Sequence, residues 1–126
     1  MKKEGGIKMS FEYPNANNLL TDRFPEMKAI YDNDVDYYID LPYILYESEF
    51  VPYIMNRLKS NDADELKKIF DFIEELFAYG DKMIVNLVEV AVVESIYFAD
   101  DYDKYKHVIS GYCGERTSKS FSECVL

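Results

Sequence analysis

Tryptophan is absent from the 126 residues, histidine occurs once and cysteine only twice. A lone histidine, His107, leaves a metal centre or a histidine-dependent hydrolase short of the further ligands, nucleophile or orienting group that such sites need. Two cysteines, Cys113 and Cys124, are too few for a disulfide framework and do not have zinc-site spacing. They read as free thiols in a cytosolic protein, and Cys124, third from the end, is one position off a prenylation box. Long apolar runs are missing too. The longest, Val90 to Val93, is far below the roughly 20 residues of a spanning helix. Phosphate-binding glycine loops, dinucleotide fingerprints, metalloprotease helices and nucleophile elbows are all lacking, so no cofactor is expected.

Basic residues are scarce. Fourteen Lys and Arg face 24 Asp and Glu, a net charge of -10, and residues 10–103 hold 21 acids against 7 bases. Such a field repels nucleic acid, whose binding requires cationic neutralisation of phosphates, and it repels anionic membrane surfaces. It attracts basic proteins and speeds their encounter. A solubilising role is the plain alternative for the charge taken alone.

What is present is the material for a core. Nearly half the residues are apolar (48%), enough for one domain of this length to bury a substantial interior. The opening Met1–Lys8 has charge but no apolar stretch behind it, unlike a secretory signal. Residues 1–14 read as a flexible extension, with Met9 as an alternative start, residues 15–121 as one helical domain, and 122–126 as a tail.

Punctuation sets the elements. A short helix is expected over Ala16 to Phe24, capped by Asn15 and stopped by Pro25. Another starts at Pro25, which suits a first helical turn, and runs to Tyr31. The polar stretch Asp32 to Asp36 reads as a loop. Leu41 to Lys59 forms a helix that Pro52 should kink or break near Ser48 to Val51. In Asp64 to Tyr79, the residues Leu66, Ile69, Phe70, Ile73, Leu76 and Phe77 make one stripe at helical spacing. Asp62 is its N-cap, with Glu65 three residues on, and Gly80 its stop. Asp81 to Ala99 is rich in β-branched residues, which favour strands, but its length and all-round apolarity favour a buried helix. A last helix is expected over Asp100 to Ser110, closed by Gly111. The fold class is therefore all-α: a compact antiparallel bundle or a short HEAT-like stack of about five to six helices.

Candidate chemistry is thin. Asp32, Asp34 and Asp36 alternate like the start of a calcium loop, but Tyr37 and Tyr43 stand where its glycine and bidentate glutamate belong. Glu89 and Glu94, five apart on an α-helix, are rotated by about 140° and do not share a face. His107 and Cys113 would pair only if the fold made them neighbours in a pocket. The distinctive feature is tyrosine, with 12 residues. Tyr37, Tyr38, Tyr43, Tyr46 and Tyr53 interleave with acids. Tyrosine brings contact area and a polar tip to binding surfaces, although Tyr43, Tyr46 and Tyr53 also suit a core. The candidate partner-binding set is Asp32, Asp34, Asp36, Tyr37, Tyr38 and Asp40, with Asp100, Asp101 and Asp103 as a second patch.

The stretch Leu66-Lys67-Lys68-Ile69-Phe70-Asp71-Phe72-Ile73-Glu74-Glu75-Leu76, followed by Gly80-Asp81, Val85-Asn86-Leu87-Val88-Glu89-Val90 and Val93-Glu94-Ser95-Ile96, resembles a family of small bacterial helical proteins. So do Arg23-Phe24-Pro25-Glu26 and Leu41-Pro42-Tyr43. Members look like immunity proteins of polymorphic-toxin and contact-dependent growth inhibition systems. The resemblance spans about Leu19 to Phe121 and carries no catalytic residues. It departs at Gly111–Thr117, which has an extra glycine and a cysteine. It implies an immunity protein that binds a basic toxin domain, a nuclease being one such class, and the chain is expected to be a cytoplasmic, non-enzymatic monomer or weak homodimer. A helical adaptor without a toxin partner is the other expectation.

Overall fold

A computed structural model describes residues 10–124 of the chain. Among these residues it is all-helical, with eight helices and no sheet. The first two follow the prolines. α1 (Ala16–Arg23) ends at Phe24, whose extended backbone is what a residue before proline adopts, and α2 (Pro25–Asn33) starts on Pro25. Asn15 makes no side-chain capping bond. A one-turn α3 (Val35–Tyr38) follows Asp34, so the expected loop is helical on both sides, with Asp34 alone breaking it.

α4 runs unbroken from Pro42 to Ser60 as Pro42–Leu45, a π-helical Tyr46–Phe50 and Val51–Ser60. The expected break at Pro52 does not occur. Instead the Val51 N–H donates to the Tyr46 carbonyl five residues back, and the widened turn accommodates the proline ring that would crowd an α-helical carbonyl. Asn61 ends α4 in the left-handed region (φ 54°), and the Asp62 N–H returns to the Arg57 carbonyl at 3.1 Å, a Schellman closure. Asp62 then caps α5 (Ala63–Tyr79) by accepting the Glu65 N–H at 3.3 Å.

Gly80 separates α5 from α6, which comprises Lys82–Leu87, a π-helical Val88–Val93 and Glu94–Tyr97. Its conformation is extended rather than left-handed. Glycine is needed for space, since a Cβ would stand 2.4 Å from Ile84 Cγ2 and from the Leu76 carbonyl. Asp81 caps α6, accepting the Ile84 N–H at 2.8 Å. The same turn holds the incoming chain. The Phe11 N–H donates to Tyr79, the Asp81 N–H to Phe11, and the Tyr13 N–H to the Asp81 carboxylate. Of the expected extension, residues 1–9 lie outside the described residues, and Phe11 to Tyr13 are docked here.

α7 (Tyr102–Tyr112) passes through Gly111, and α8 (Glu115–Glu123) takes up part of the expected tail. α3 and α8 are the two helices beyond the expected five to six.

The core is continuous. α5 supplies Leu66, Ile69, Phe70, Phe72, Ile73 and Leu76, all buried, and α6 supplies Ile84, Leu87, Val88, Ala91, Val92, Val93 and Ile96. The two π segments pack against each other at its centre. Phe72 packs edge-on against Phe24 and Phe50, whose own rings meet at a tilt. Tyr46 is fully buried with its hydroxyl donated to the Ala16 carbonyl at 2.7 Å, and burial raises its pKa. Such a hydrogen bond is what a buried phenol requires.

Candidate protein-binding surface

α3 and the link to α4 place the first expected group on one short stretch of surface. Asp32, Asp34, Asp36, Tyr37 and Asp40 are exposed. Tyr38 is not. It is buried, its ring packs edge-on against Tyr37, and its hydroxyl is hydrogen-bonded to Glu49. That bond, with burial and the Glu49 charge, pushes its pKa up to about 12. Tyr38 therefore anchors the patch and does not form its contact face. Asp32 is paired with Lys28 at 2.8 Å. Two residues absent from the expected set complete the face: Ile39 is 54% exposed and Leu41 38%, beside Tyr37 at 51%. Three large apolar groups thus stand in water among carboxylates, an arrangement more typical of contact sites than of inert surface.

The second expected group is exposed at the entry to α7. Its charge is partly offset, because Asp103 pairs with Lys106 at 3.6 Å, and Lys104 lies over Tyr105.

A groove between α6 and α8 was not foreseen. It has a volume of about 410 Å³, and its walls include Glu89, Glu94 and Glu123 together with Val90 and Phe98. Phe98 is 70% exposed, the largest value among the exposed apolar side chains. The π turn explains the glutamates. The Glu94 N–H donates to the Glu89 carbonyl five residues back, so the two side chains are one turn apart and line the same groove. The expectation that they diverge assumed α-helical periodicity. Tyr43 connects this groove to the first patch. Its hydroxyl donates to Asn86 Oδ1 at 2.6 Å, and its ring meets Tyr13 at 6.1 Å.

Catalytic alternatives find no assembly among the described residues. Cys113 lines a cavity with Tyr102, Ile109 and Phe121, and His107 is not among its walls. Burial pushes the Cys113 thiol up to about 12, which opposes the thiolate that nucleophilic chemistry requires. Among the described residues no group of three metal-ligating side chains occurs, and no helix is long and apolar enough to cross a membrane.

Residues 17–125 match the family described as Domain of unknown function (DUF7674). The chain belongs to that family. No curated protein and no solved structure matches it significantly. The DUF7674 match covers all eight helices but for the first residue of α1, and so contains the patch, the groove and the Tyr43–Asn86 bond between them, though not Tyr13.

Proposed function

We propose that this DUF7674 protein is an immunity-type inhibitor: it binds a basic toxin domain in the cytoplasm and blocks its active site. The observation that carries the reading is the exposed Tyr37, Ile39 and Leu41 set among Asp34, Asp36 and Asp40. Apolar and aromatic groups supply affinity at an interface centre, and a carboxylate rim pairs with arginine or lysine while steering the encounter. A toxin that cuts nucleic acid must be basic to hold its substrate, and the same charge makes it a target for this surface.

The test is capture by the tagged chain from extracts of its native cells at low and high salt. A small basic protein retained stoichiometrically, and released as salt rises, is the expected result. Reversing Asp34, Asp36 and Asp40 to lysine should slow association and flatten its salt dependence. Capture unchanged by that reversal would remove the assignment of this surface.

A second reading, a helical adaptor without a toxin partner, is favoured by the α6–α8 groove with its exposed Phe98. A captured partner that is neither basic nor toxic, and that is lost on Phe98→Ser, would select it.

A further inference from the structure

The groove between α6 and α8 carries charge of one sign. Glu89 and Glu94 stand one turn apart on α6, and Glu123 lines the same groove from α8. No lysine or arginine lines it, and none of these carboxylates makes an ion pair among the described residues. Their charges converge. Burial raises the pKa of the Cys124 thiol in the groove wall, and Glu94, Glu123 and Glu89 all add to that shift. Like charges held around one point oppose each other, and a cationic occupant relieves them.

Ser120 points to an occupant independently. It is 8% exposed and lines the groove. Its carbonyl accepts from Cys124, but its hydroxyl has no hydrogen-bond partner among the described residues. A helical serine commonly bonds back to the carbonyl four residues earlier, and this one does not. Nor is its oxygen among the polar atoms sealed from solvent. The hydroxyl therefore stays reachable from the groove that it lines.

The apolar part of the surface is a line rather than a spot. Val90 and Phe98 are eight residues apart, which in a regular helix overshoots two turns by about 80°. The π turn at Val88–Val93 takes up one extra residue and brings Phe98 back to two turns beyond Val90. Met83, also exposed, lies two turns before Val90. The three follow one face of α6 for roughly 20 Å. A small cation bound between the carboxylates would leave most of that line in water, whereas a helix laid along the groove covers it.

We propose that the α6–α8 groove docks an amphipathic helix of about four turns from a partner protein. Its apolar face lies on Met83, Val90 and Phe98, and its flanking lysines or arginines pair with Glu89, Glu94 and Glu123, one of them also reaching Ser120. Basicity belongs to that helix alone, so the protein that carries it need not be basic overall. This goes beyond the inhibitor reading and uses a different surface from Tyr37, Ile39 and Leu41.

The probe is a capped peptide that repeats Lys-Leu-Ala-Lys-Leu-Ala-Lys twice, which is cationic and, when helical, amphipathic. It is titrated into the full chain and followed by backbone NMR. The expected result is saturable shifts confined to the Met83–Phe98 face and to Ser120–Glu123. A peptide of the same composition with its leucines scattered around the helix should bind about tenfold more weakly, as should Phe98→Ser and the combined Glu89→Gln, Glu94→Gln and Glu123→Gln variant. Ser120→Ala should weaken binding severalfold. All but Ser120 are exposed or half-buried positions, and a melt of each variant checks the fold. Shifts spread over the whole acidic surface, equal binding of the scattered peptide, or binding unchanged by these variants would overturn the proposal. Concentration-dependent shifts on the same face of the free chain would overturn it in favour of a second copy as occupant. Partner capture separates the two claims. A toxin lost on reversal of Asp34, Asp36 and Asp40 but kept by Phe98→Ser supports the inhibitor reading even if the peptide fails to bind. Peptide bound in the groove with no toxin captured supports the groove alone.

Discussion

Glu74 belongs to α5 but secures α8. Its Oε1 accepts the Thr117 N–H at 3.0 Å and the Thr117 hydroxyl at 2.9 Å, and its Oε2 accepts from the backbone and guanidinium of Arg116. These are the orphan donors of a helix start, met by a carboxylate from another element. The approach is close enough that a Cβ on Gly114 would lie 2.6 Å from the Glu74 carboxyl. Gly114 is in extended backbone that any residue adopts, so the clash is the whole reason for glycine there. Glu74→Ala should cost about 1–3 kcal/mol by loss of the cap. Gly114→Ala alone should destabilise as well, but in the Glu74→Ala background it should be neutral. Urea unfolding of the two single variants and the double variant checks this, and strict additivity would contradict it.

The same contacts set a pH dependence. Burial alone would raise the Glu74 pKa, but the hydrogen bonds from Thr117 and Arg116 outweigh it and hold the carboxyl below its ordinary value. A depressed folded pKa adds stability above the unfolded carboxylate range, and this is lost as pH falls through the folded value. Tyr38 acts at the other limb. Its pKa is raised to about 12, first by the Glu49 hydrogen bond, so its contribution is present below the ordinary phenol value near 10 and is lost as pH climbs toward 12. Stability measured from pH 3 to 11 should fall at both ends. Glu74→Gln should flatten the acid limb, and Tyr38→Phe the alkaline limb.

Among the elements, α5 was fully legible because every local signal agreed: the Asp62 cap, the apolar stripe and the Gly80 stop. α6 was legible as a helix from its length and its all-round apolarity, despite the β-branched content. Its π turn was not, since periodicity reading presumes 3.6 residues per turn, and the groove built on Glu89 and Glu94 was hidden with it. α8 was missed for a different reason. Gly111 looks like a terminator, but nothing lies within 4 Å of its would-be Cβ, and a glycine costs a helix interior only about 1 kcal/mol. The true cap, Glu74, is about 40 residues upstream, where no local rule would seek it. Of the candidate site, the acids and Tyr37 were readable as exposed polar punctuation. The burial of Tyr38 depended on a partner, Glu49, that only tertiary packing supplies.

The π turn in α4 gives an element-scale test. In a regular helix interior, proline costs about 3 kcal/mol relative to alanine. Here the widened turn at Tyr46–Phe50 already accommodates the ring, so Pro52→Ala should stabilise by far less, about 1 kcal/mol or under. In α6, deleting the exposed Val90 removes the extra residue that a π turn represents. The helix should close to α geometry with its buried face intact, and circular dichroism should show a cooperative melt. Glu89 and Glu94 would then stand four residues apart and keep a common face, so the groove should lose its Val90 wall but keep its paired carboxylates.

For the molecule as a whole, charge acts in two opposed ways. The 21 acids and 7 bases over residues 10–103 surround a core that hydrophobic packing holds together, and their mutual repulsion works against the compact state. Salt screens that repulsion: the Debye length falls from about 30 Å at 0.01 M to about 10 Å at 0.1 M. The free chain should therefore become more stable as salt rises, its Tm climbing by roughly 3–6 °C, which corresponds to about 1 kcal/mol in a domain near this size. Capture of a basic partner depends on attraction across the interface, and it should weaken over the same salt range. Opposite slopes for stability and binding are the signature of a surface whose like charges are tolerated for the sake of a partner. Replacing Asp34, Asp36 and Asp40 with asparagine should shrink both slopes together. A Tm that ignores salt while binding remains salt-sensitive would mean that the acids lie too far apart to burden the fold, and that only the binding slope reports on them.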